Sequence, residues 1–453
     1  MTLAPGDAAF ASARRGRVAI MTRMQTENAG NEALSSVLIR HIAEAASECE
    51  VRAFDRWPRV MTRFDFASVA AGEDAITRFE ALVDALEART RAAAKRPGAD
   101  VLLADAAADC NVRIVERPRL RSSLVATLKR RFHLRSRLAA AGLLRRDEAR
   151  RTFNTISWCD LLIWNPAGEF HPTGSLDEGI RLLLLVRLAQ RLGKRTAIVN
   201  HSLEATDPTL NTLIAHVYNG ADFVSVRESG SYRRGLDMGL AEDRLHEIPD
   251  LVFLTLKHPP TAAYGSVSPY AGHIVLSLNG LEAHRGGRQW DTLFAGLKAF
   301  GRPITFLSNS MNDDIPFARA HAGALDAEVV SFQPGYVELA RAYRDAAVVI
   351  SSRLHAAILA LSADTPVVSI EPQLFKLTAI FEQLGYPVAT QSMSDPDWAR
   401  SVLDKTATVL ERRDEIVQAS KPGLVRQVAT IEEGYRPLIE LARAASTTAS
   451  RRK

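Results

Sequence analysis

Three cysteines in 453 residues, Cys49, Cys110 and Cys159, are too few, too scattered and odd in number to build a disulfide framework or a zinc cluster. That usage fits a reducing cytoplasm. Long apolar runs are also missing. The N-terminal MTLAPGDAAFASARRGRVAIM has early arginines but no continuous apolar stretch of secretory length, so no signal peptide is expected. The most apolar segment, GIRLLLLVRLAQRLGKR, is interrupted by Arg181, Arg187 and Arg191 well short of the ~20 residues of a membrane span. It reads as a buried amphipathic helix.

At 47% hydrophobic and 24% charged, the composition supports a large core and not disorder. The length exceeds what one core commonly serves, so two domains are expected. Net charge is +5 and unevenly placed: 111–151 holds thirteen Arg or Lys against three acids, leaving the remainder mildly acidic. Within it, LKRRFHLRSRLAAAGLLRRDEARR sets leucines and alanines near helical spacing, with arginines filling most other positions, as in a solvated basic helical insertion. Such a surplus also suits an anionic membrane surface or the phosphates of a lipid-linked acceptor. Nucleic acid is disfavoured as a partner, because the run is not interleaved with aromatics and no recognition motif accompanies it.

From Arg17 the chain alternates short apolar runs with amphipathic segments: RVAIM, a helix from about Asn31, EVRAF, a mainly helical insertion over about 74–151, then DLLIW, RTAIVN and DFVSV with helices between. This is the pattern of parallel strands with helical crossovers. KHPPTAAYGSVSPYAG reads as a linker, and a second alternation follows through HIVLSL, PITFLS, EVVSF, AVVIS and PVVSI. The expected fold is α/β, two Rossmann-like domains facing a cleft: 17–255 with the basic insertion, and 270–420. A helix over 421–445 is expected to pack back on the first domain.

In open parallel sheets, ligands collect beyond the carboxyl ends of strands. AVVISSRLHAA sets its polar residues at such an end. Ser351 or Ser352 is expected to cap the next helix, whose free N–H groups attract an anion. Arg353 adds a bidentate donor for phosphate or carboxylate, and His355 a group that changes protonation near neutral pH. The bland alternative is a capped helix with an Arg on its rim and a packed His beneath. NAGNEAL, 28–34, is expected to be a tight strand-to-helix turn in which Gly30 relaxes the backbone and Asn31 caps. Equally, its N–H groups and Asn28 could touch ligand across the cleft.

These residues together resemble the polysaccharide pyruvyl transferases. The likeness rests on Ser352-Arg353-Leu354-His355 at a helix start, a small-residue helix, a Thr-Pro-Val strand, and Lys376 in EPQLFKL. ENAGNEAL, DFVSVRESGS and IPDLVFL extend it over most of the chain. WNPAGEFHP departs from the glycine-rich turn common after the third strand in that family, with Gly168 alone and Asn165, Glu169 and His171 nearby. That loop is expected on the acceptor side.

The resemblance implies a two-domain architecture like that of GT-B glycosyltransferases, and transfer of the enolpyruvyl unit of phosphoenolpyruvate to a saccharide or lipid-linked saccharide, forming a cyclic ketal with loss of phosphate. It implies catalytic roles for His355, Arg227 and Lys376, and substrate contacts at Arg353, Ser351, Ser352, Asn28, Gly30, Asn31 and Glu371. Fixed cations would cradle the donor's phosphate and carboxylate. His355 would protonate the vinyl carbon, its charged form favoured by the bound dianion and disfavoured by the helix N-terminus. No cofactor or metal is demanded beyond the donor substrate. The expected location is cytoplasmic, with peripheral contact at the inner face of the cell membrane. Rival readings are a GT-B glycosyltransferase using a nucleotide sugar and a catalytically inactive carbohydrate-binding member of the fold.

Overall fold

The apolar runs form the strands of two parallel sheets. The computed structural model describes residues 15–23, 28–55, 74–94, 112–115, 154–170, 176–257, 268–311, 313–331, 335–372 and 375–450. The first sheet is built from β1 (Arg17–Thr22), β2 (Glu50–Asp55), β3 (Val112–Val115), β4 (Leu161–Trp164), β5 (Arg195–His201), β6 (Phe223–Val226) and β7 (Leu245–Glu247). Its seven strands run in the order β3-β2-β1-β4-β5-β6-β7. The second contains β8 (Ile274–Ser277), β9 (Ile304–Ser308), β10 (Glu328–Ser331), β11 (Val348–Ser351), β12 (Val367–Glu371) and β13 (Gln391–Ser392). Its order, β10-β9-β8-β11-β12-β13, repeats the first. Both are doubly wound, and each reverses direction beside its central strand, at β1/β4 and β8/β11.

LLIW, IVLS and VVIS are apolar without alternation because helices cover both faces of each sheet, and every residue of these strands is buried. Helix α1 (Ala29–Ala45) follows β1. On the opposite face of the first sheet, α2 (Ala75–Ala94), α3 (Leu176–Arg191) and α4 (Pro208–Tyr218) close a core around Met21, Phe79, Trp164, Leu183 and Leu213. The apolar segment interrupted by arginines is indeed a buried helix, with Arg187 and Arg191 paired to Glu80 and Asp84 of α2. No helix among the described residues is long and apolar enough to cross a membrane.

Two features differ from the sequence expectation. Val112–Val115, inside the stretch read as a mainly helical insertion, is a strand paired in parallel with β2. The four residues of VRIV, with Arg113 among them, carry too short a pattern to register. The rest of the basic run, 116–151, lies outside the described residues. The C-terminal segment is also longer than one helix. Arg413–Gly434 contains Pro422 and abuts the second domain, and after a break at Tyr435 a final helix, Arg436–Ser450, lies on the first sheet. There Tyr435 shares a 3.1 Å hydrogen bond with Ser225 at the end of β6, and Cys49 Sγ donates to the Ala442 carbonyl at 3.3 Å.

A 3₁₀ segment, Leu251–Leu256, follows β7 and is buried between the domains. Its Leu251, Val252, Phe253 and Leu254 belong to one continuous apolar core with Leu34 and Leu38 of α1 and with Ile358 and Leu359 of the second domain. The two sheets therefore share a core on one side and oppose their carboxyl ends across the site.

The seam between Arg413–Gly434 and the second domain admits no side chain at Gly423, because a Cβ there would run into the Leu384 carbonyl. Gly423→Ala should lower unfolding free energy by about 1–3 kcal/mol, as overpacking does. The check is a fall in urea midpoint at constant m-value; an unchanged midpoint would mean that the helix is not seated there.

Candidate active site

Arg227 stands at the end of β6 and is 2% exposed. Burial of a guanidinium is tolerated when its donors are used. Nε and Nη2 donate to Ser202 Oγ at 2.9 and 2.8 Å, and Nη1 donates to Asp250 Oδ2 at 2.7 Å. Glu228, beside it, is fully buried and held by Ser202 and Ser231. Burial pushes its carboxyl above the usual range, with Arg227 opposing the shift.

Asp250 caps the 3₁₀ segment, accepting Val252 N–H at 2.9 Å, and is wholly buried. Its Oδ2 also lies 3.3 Å from His355 Nε2, a residue of the second domain. Burial alone would raise the Asp250 carboxyl, but the charges of His355 and Arg227 outweigh it and hold the group well below the usual carboxylate range. Arg227 Nη1 is also 3.3 Å from His355 Nε2. Arg, Asp and His from two domains thus meet at one point.

His355 is the second residue of α5 (Leu354–Ser362), whose N-cap position is Arg353. Neither serine caps this helix, contrary to expectation. Ser351 Oγ accepts Arg353 N–H at 3.0 Å, and Ser352 Oγ accepts Asn279 N–H at 2.7 Å, so both tie the strand end together instead. The helix has no side-chain cap. Arg353 turns away from His355: its Nε donates to Asp314 at 3.1 Å, and Nη2 lies 3.5 Å from Asp313. Asp314 is itself fixed by Ser310 N–H at 2.9 Å.

Lys376 opens α6 (Lys376–Leu384) and forms an ion pair with Glu204 of the first domain. Glu371 caps that helix, its Oε2 accepting the N–H groups of Leu377 at 2.7 Å and Thr378 at 3.1 Å. Burial pushes the Glu371 carboxyl up to about 7, against those two N–H groups and Lys376.

The Asn28 loop is corrected in detail. Asn28, not Asn31, caps α1: its Oδ1 accepts Gly30 N–H at 2.9 Å and Asn31 N–H at 3.2 Å. The same oxygen takes Asn309 Nδ2 at 3.2 Å, and Ala29 N–H donates to the Asn309 carbonyl at 2.9 Å, so the loop crosses to the second domain. Gly30 is not a relaxed turn residue but a helical one. It is needed because a Cβ would sit 2.5 Å from His355 Nδ1.

On the remaining side, Asn165 is buried at the β1/β4 switch point, donating from Nδ2 to Thr22 Oγ1 at 3.1 Å, while its Oδ1 has no partner among the described residues. Glu169 pairs with Arg23 at 3.4 Å. Gly168 lies beside Lys376, a Cβ there being 3.4 Å from Nζ. His171 lies outside the described residues. The structure therefore gathers Arg227, His355, Lys376, Gly30 and Asn28 at the domain interface and turns Arg353 toward Asp313 and Asp314. Sequence reading missed Ser202, Glu204 and Asp314, and took Asp250 only as part of IPDLVFL, because nothing local marks a polar residue whose partner lies 25 or more positions away in the chain.

Two doubly wound sheets opposing a charged cleft form a two-domain architecture of the GT-B type. Solved structures sharing it include alpha,alpha-trehalose 6-phosphate synthase from Burkholderia multivorans, 11% identical, covering 96% of this chain and 98% of that one at a TM-score of 0.54. A glycosyltransferase from Rickettsia africae is 8% identical, covering 95% and 98% at 0.51. The UDP-forming alpha,alpha-trehalose-phosphate synthase from Burkholderia vietnamiensis is 12% identical, covering 97% and 99% at 0.51. At such identities the likeness shows the fold alone. No curated protein sequence matches the chain. The family model of polysaccharide pyruvyl transferase matches residues 28–373, and the chain belongs to that family.

Glu371 supplies a pH test. Burial holds its carboxyl at about 7 in the folded protein, above its ordinary value of 4.5, so the folded state holds the proton more tightly. Its contribution to stability is fully present below about pH 4.5 and is lost as pH rises through about 7, by roughly 3 kcal/mol from the size of the shift. The wild-type minus Glu371→Gln difference in denaturant-derived stability should fall across that window. A flat difference would show that Glu371 is ionised in the folded protein throughout.

Proposed function

We propose that this transferase moves the enolpyruvyl group of phosphoenolpyruvate onto two hydroxyls of a saccharide, or lipid-linked saccharide, as a cyclic ketal. The observation that supports it most is the meeting of Arg227 and His355 across the domain interface at 3.3 Å, with the Lys376–Glu204 pair also crossing it. Lys376 is the cation a donor phosphate or carboxylate oxygen reaches most readily, Arg227 stays bonded to Asp250 and lends its charge at short range, and His355 is a proton carrier beside them. Arg353 acts through the shape of the strand end, since Asp314 and Asp313 already match its charge.

In the first half-reaction His355 gives a proton to the methylene carbon C3 while one acceptor hydroxyl oxygen bonds to C2. The C2–O bond to phosphate then breaks, and the second hydroxyl bonds to C2. Of the two hydroxyl protons, one restores His355 and one leaves with hydrogen phosphate, so the sum balances. We place the acceptor at the β1/β4 switch point, beside Asn165 and Glu169.

Calorimetric titration should show phosphoenolpyruvate binding and no comparable heat from nucleotide sugars. Tight nucleotide-sugar binding without a phosphoenolpyruvate signal would support the glycosyltransferase reading that the fold also allows. With a competent acceptor, His355→Gln should lower phosphate release by about 10²–10⁴ while donor affinity changes little. Near-wild-type turnover would reduce His355 to a packed interface residue.

A further inference from the structure

We infer that Asp250 is a positioning residue for His355, holding Nε2–H from across the domain interface so that Nδ1 is the atom that carries the transferred proton. The inference rests on the pyruvyl-transfer reading and adds a residue and an atom to it. Three observations carry it. Asp250 Oδ2 lies 3.3 Å from His355 Nε2. Asp250 is wholly buried, and its other oxygen is engaged by Val252 N–H, so the carboxylate has one fixed orientation. Nδ1 makes no hydrogen bond among the described residues, and Gly30 packs beside it without a side chain to cover it, since a Cβ there would lie 2.5 Å from Nδ1.

Arg227 Nη1 stands equally near Nε2, and as a pure donor it would favour a bare nitrogen there. That arrangement would set the Nε2 lone pair against the Asp250 carboxylate. With Nε2 protonated, the bond to Asp250 persists in both the imidazole and the imidazolium, and Arg227 keeps its own 2.7 Å bond to Asp250. The depressed Asp250 carboxyl agrees with a cation or N–H donor at its oxygen. During transfer the Nδ1–H bond breaks and its proton goes to C3 as the acceptor oxygen bonds to C2. The imidazole is left neutral with Nε2–H in place, and one hydroxyl proton later returns to Nδ1.

Among the described residues, the charged groups facing His355 are Arg227 and Asp250. On the elements packed against α5, Glu32 of α1 and Tyr336 and Glu338 of the helix Tyr336–Tyr343 interact with one another and with Arg40. Glu371, at the end of β12, is committed to Leu377 and Thr378. Removing the Asp250 charge should therefore act on His355 without another carboxylate taking its place.

Two measurements test this. Asp250→Asn should lower kcat for phosphate release by about 10²- to 10³-fold with KM for phosphoenolpyruvate within about threefold. Because the acid form is the active one and loses its carboxylate, the alkaline limb of the kcat–pH profile should move to lower pH, with partial recovery in Asp250→Glu. Unchanged kcat and pH profile would overturn the inference. The second measurement uses the wild-type protein and does not depend on variant folding: ¹⁵N-histidine NMR, with the His355 signals assigned by their loss in His355→Gln. Above its titration His355 should be the Nε2–H tautomer; the Nδ1–H tautomer would mean that Arg227, not Asp250, orients the ring. Failure of the pyruvyl-transfer reading has a separate signature, namely wild-type protein that releases no phosphate from phosphoenolpyruvate whatever the tautomer.

Discussion

The buried pair of Arg227 and Asp250 is the constraint around which the rest of the site is arranged. Removing two charges from water costs several kcal/mol per ion, and a buried pair often stabilises a fold less than apolar residues of the same volume would. The cost is offset here only because nearly every polar atom is used: Ser202 takes two guanidinium bonds, Asp250 a third, and Val252 N–H completes the carboxylate. Those partners come from the ends of β5, β6 and β7. The parallel register of the three strands is thus what brings Ser202, Arg227 and Asp250 within bonding distance.

The second domain is fitted to this pair as well. His355 reaches it because α1 carries no side chain at Gly30, and α1 keeps its angle because Asn28 binds both its own helix and Asn309 across the interface. A continuous apolar core through Leu251–Leu256 holds the domains together at one side. Polar contacts at the strand ends then set their approach at the other. Apolar burial supplies association, and the charged contacts supply register.

Most of the sheet framework was legible in the sequence, because VVIS, IVLS and LLIW are buried on both faces and read as unbroken apolar runs. The strand Val112–Val115 was not, since four residues among arginines carry almost no periodicity and owe their conformation to pairing with β2. Capping failed for a related reason. Asn28 and Asn31 are equally good caps by type, and the contact to Asn309, 281 residues away, favours the first. In the site, Arg227, His355 and Lys376 were visible as polar residues at strand ends. Their carboxylates were not, because Asp250 and His355 are 105 residues apart and only the meeting of two domains makes them neighbours.

Each cation of the site already has an anion: Arg227 has Asp250, Arg353 has Asp314, and Lys376 has Glu204. The site is therefore not a bare positive pocket. On the pyruvyl-transfer reading, a donor bearing phosphate and carboxylate competes with protein carboxylates for these partners. The three do not yield alike. Asp250 is fully buried and Asp314 nearly so, and both are pinned by backbone N–H groups, so their cations stay paired. Glu204 and Lys376 belong to different domains, and the Lys376 side chain is 26% exposed, the most accessible of the three cations. Exchange of Glu204 for a donor oxygen at Lys376 is then the step of least electrostatic cost.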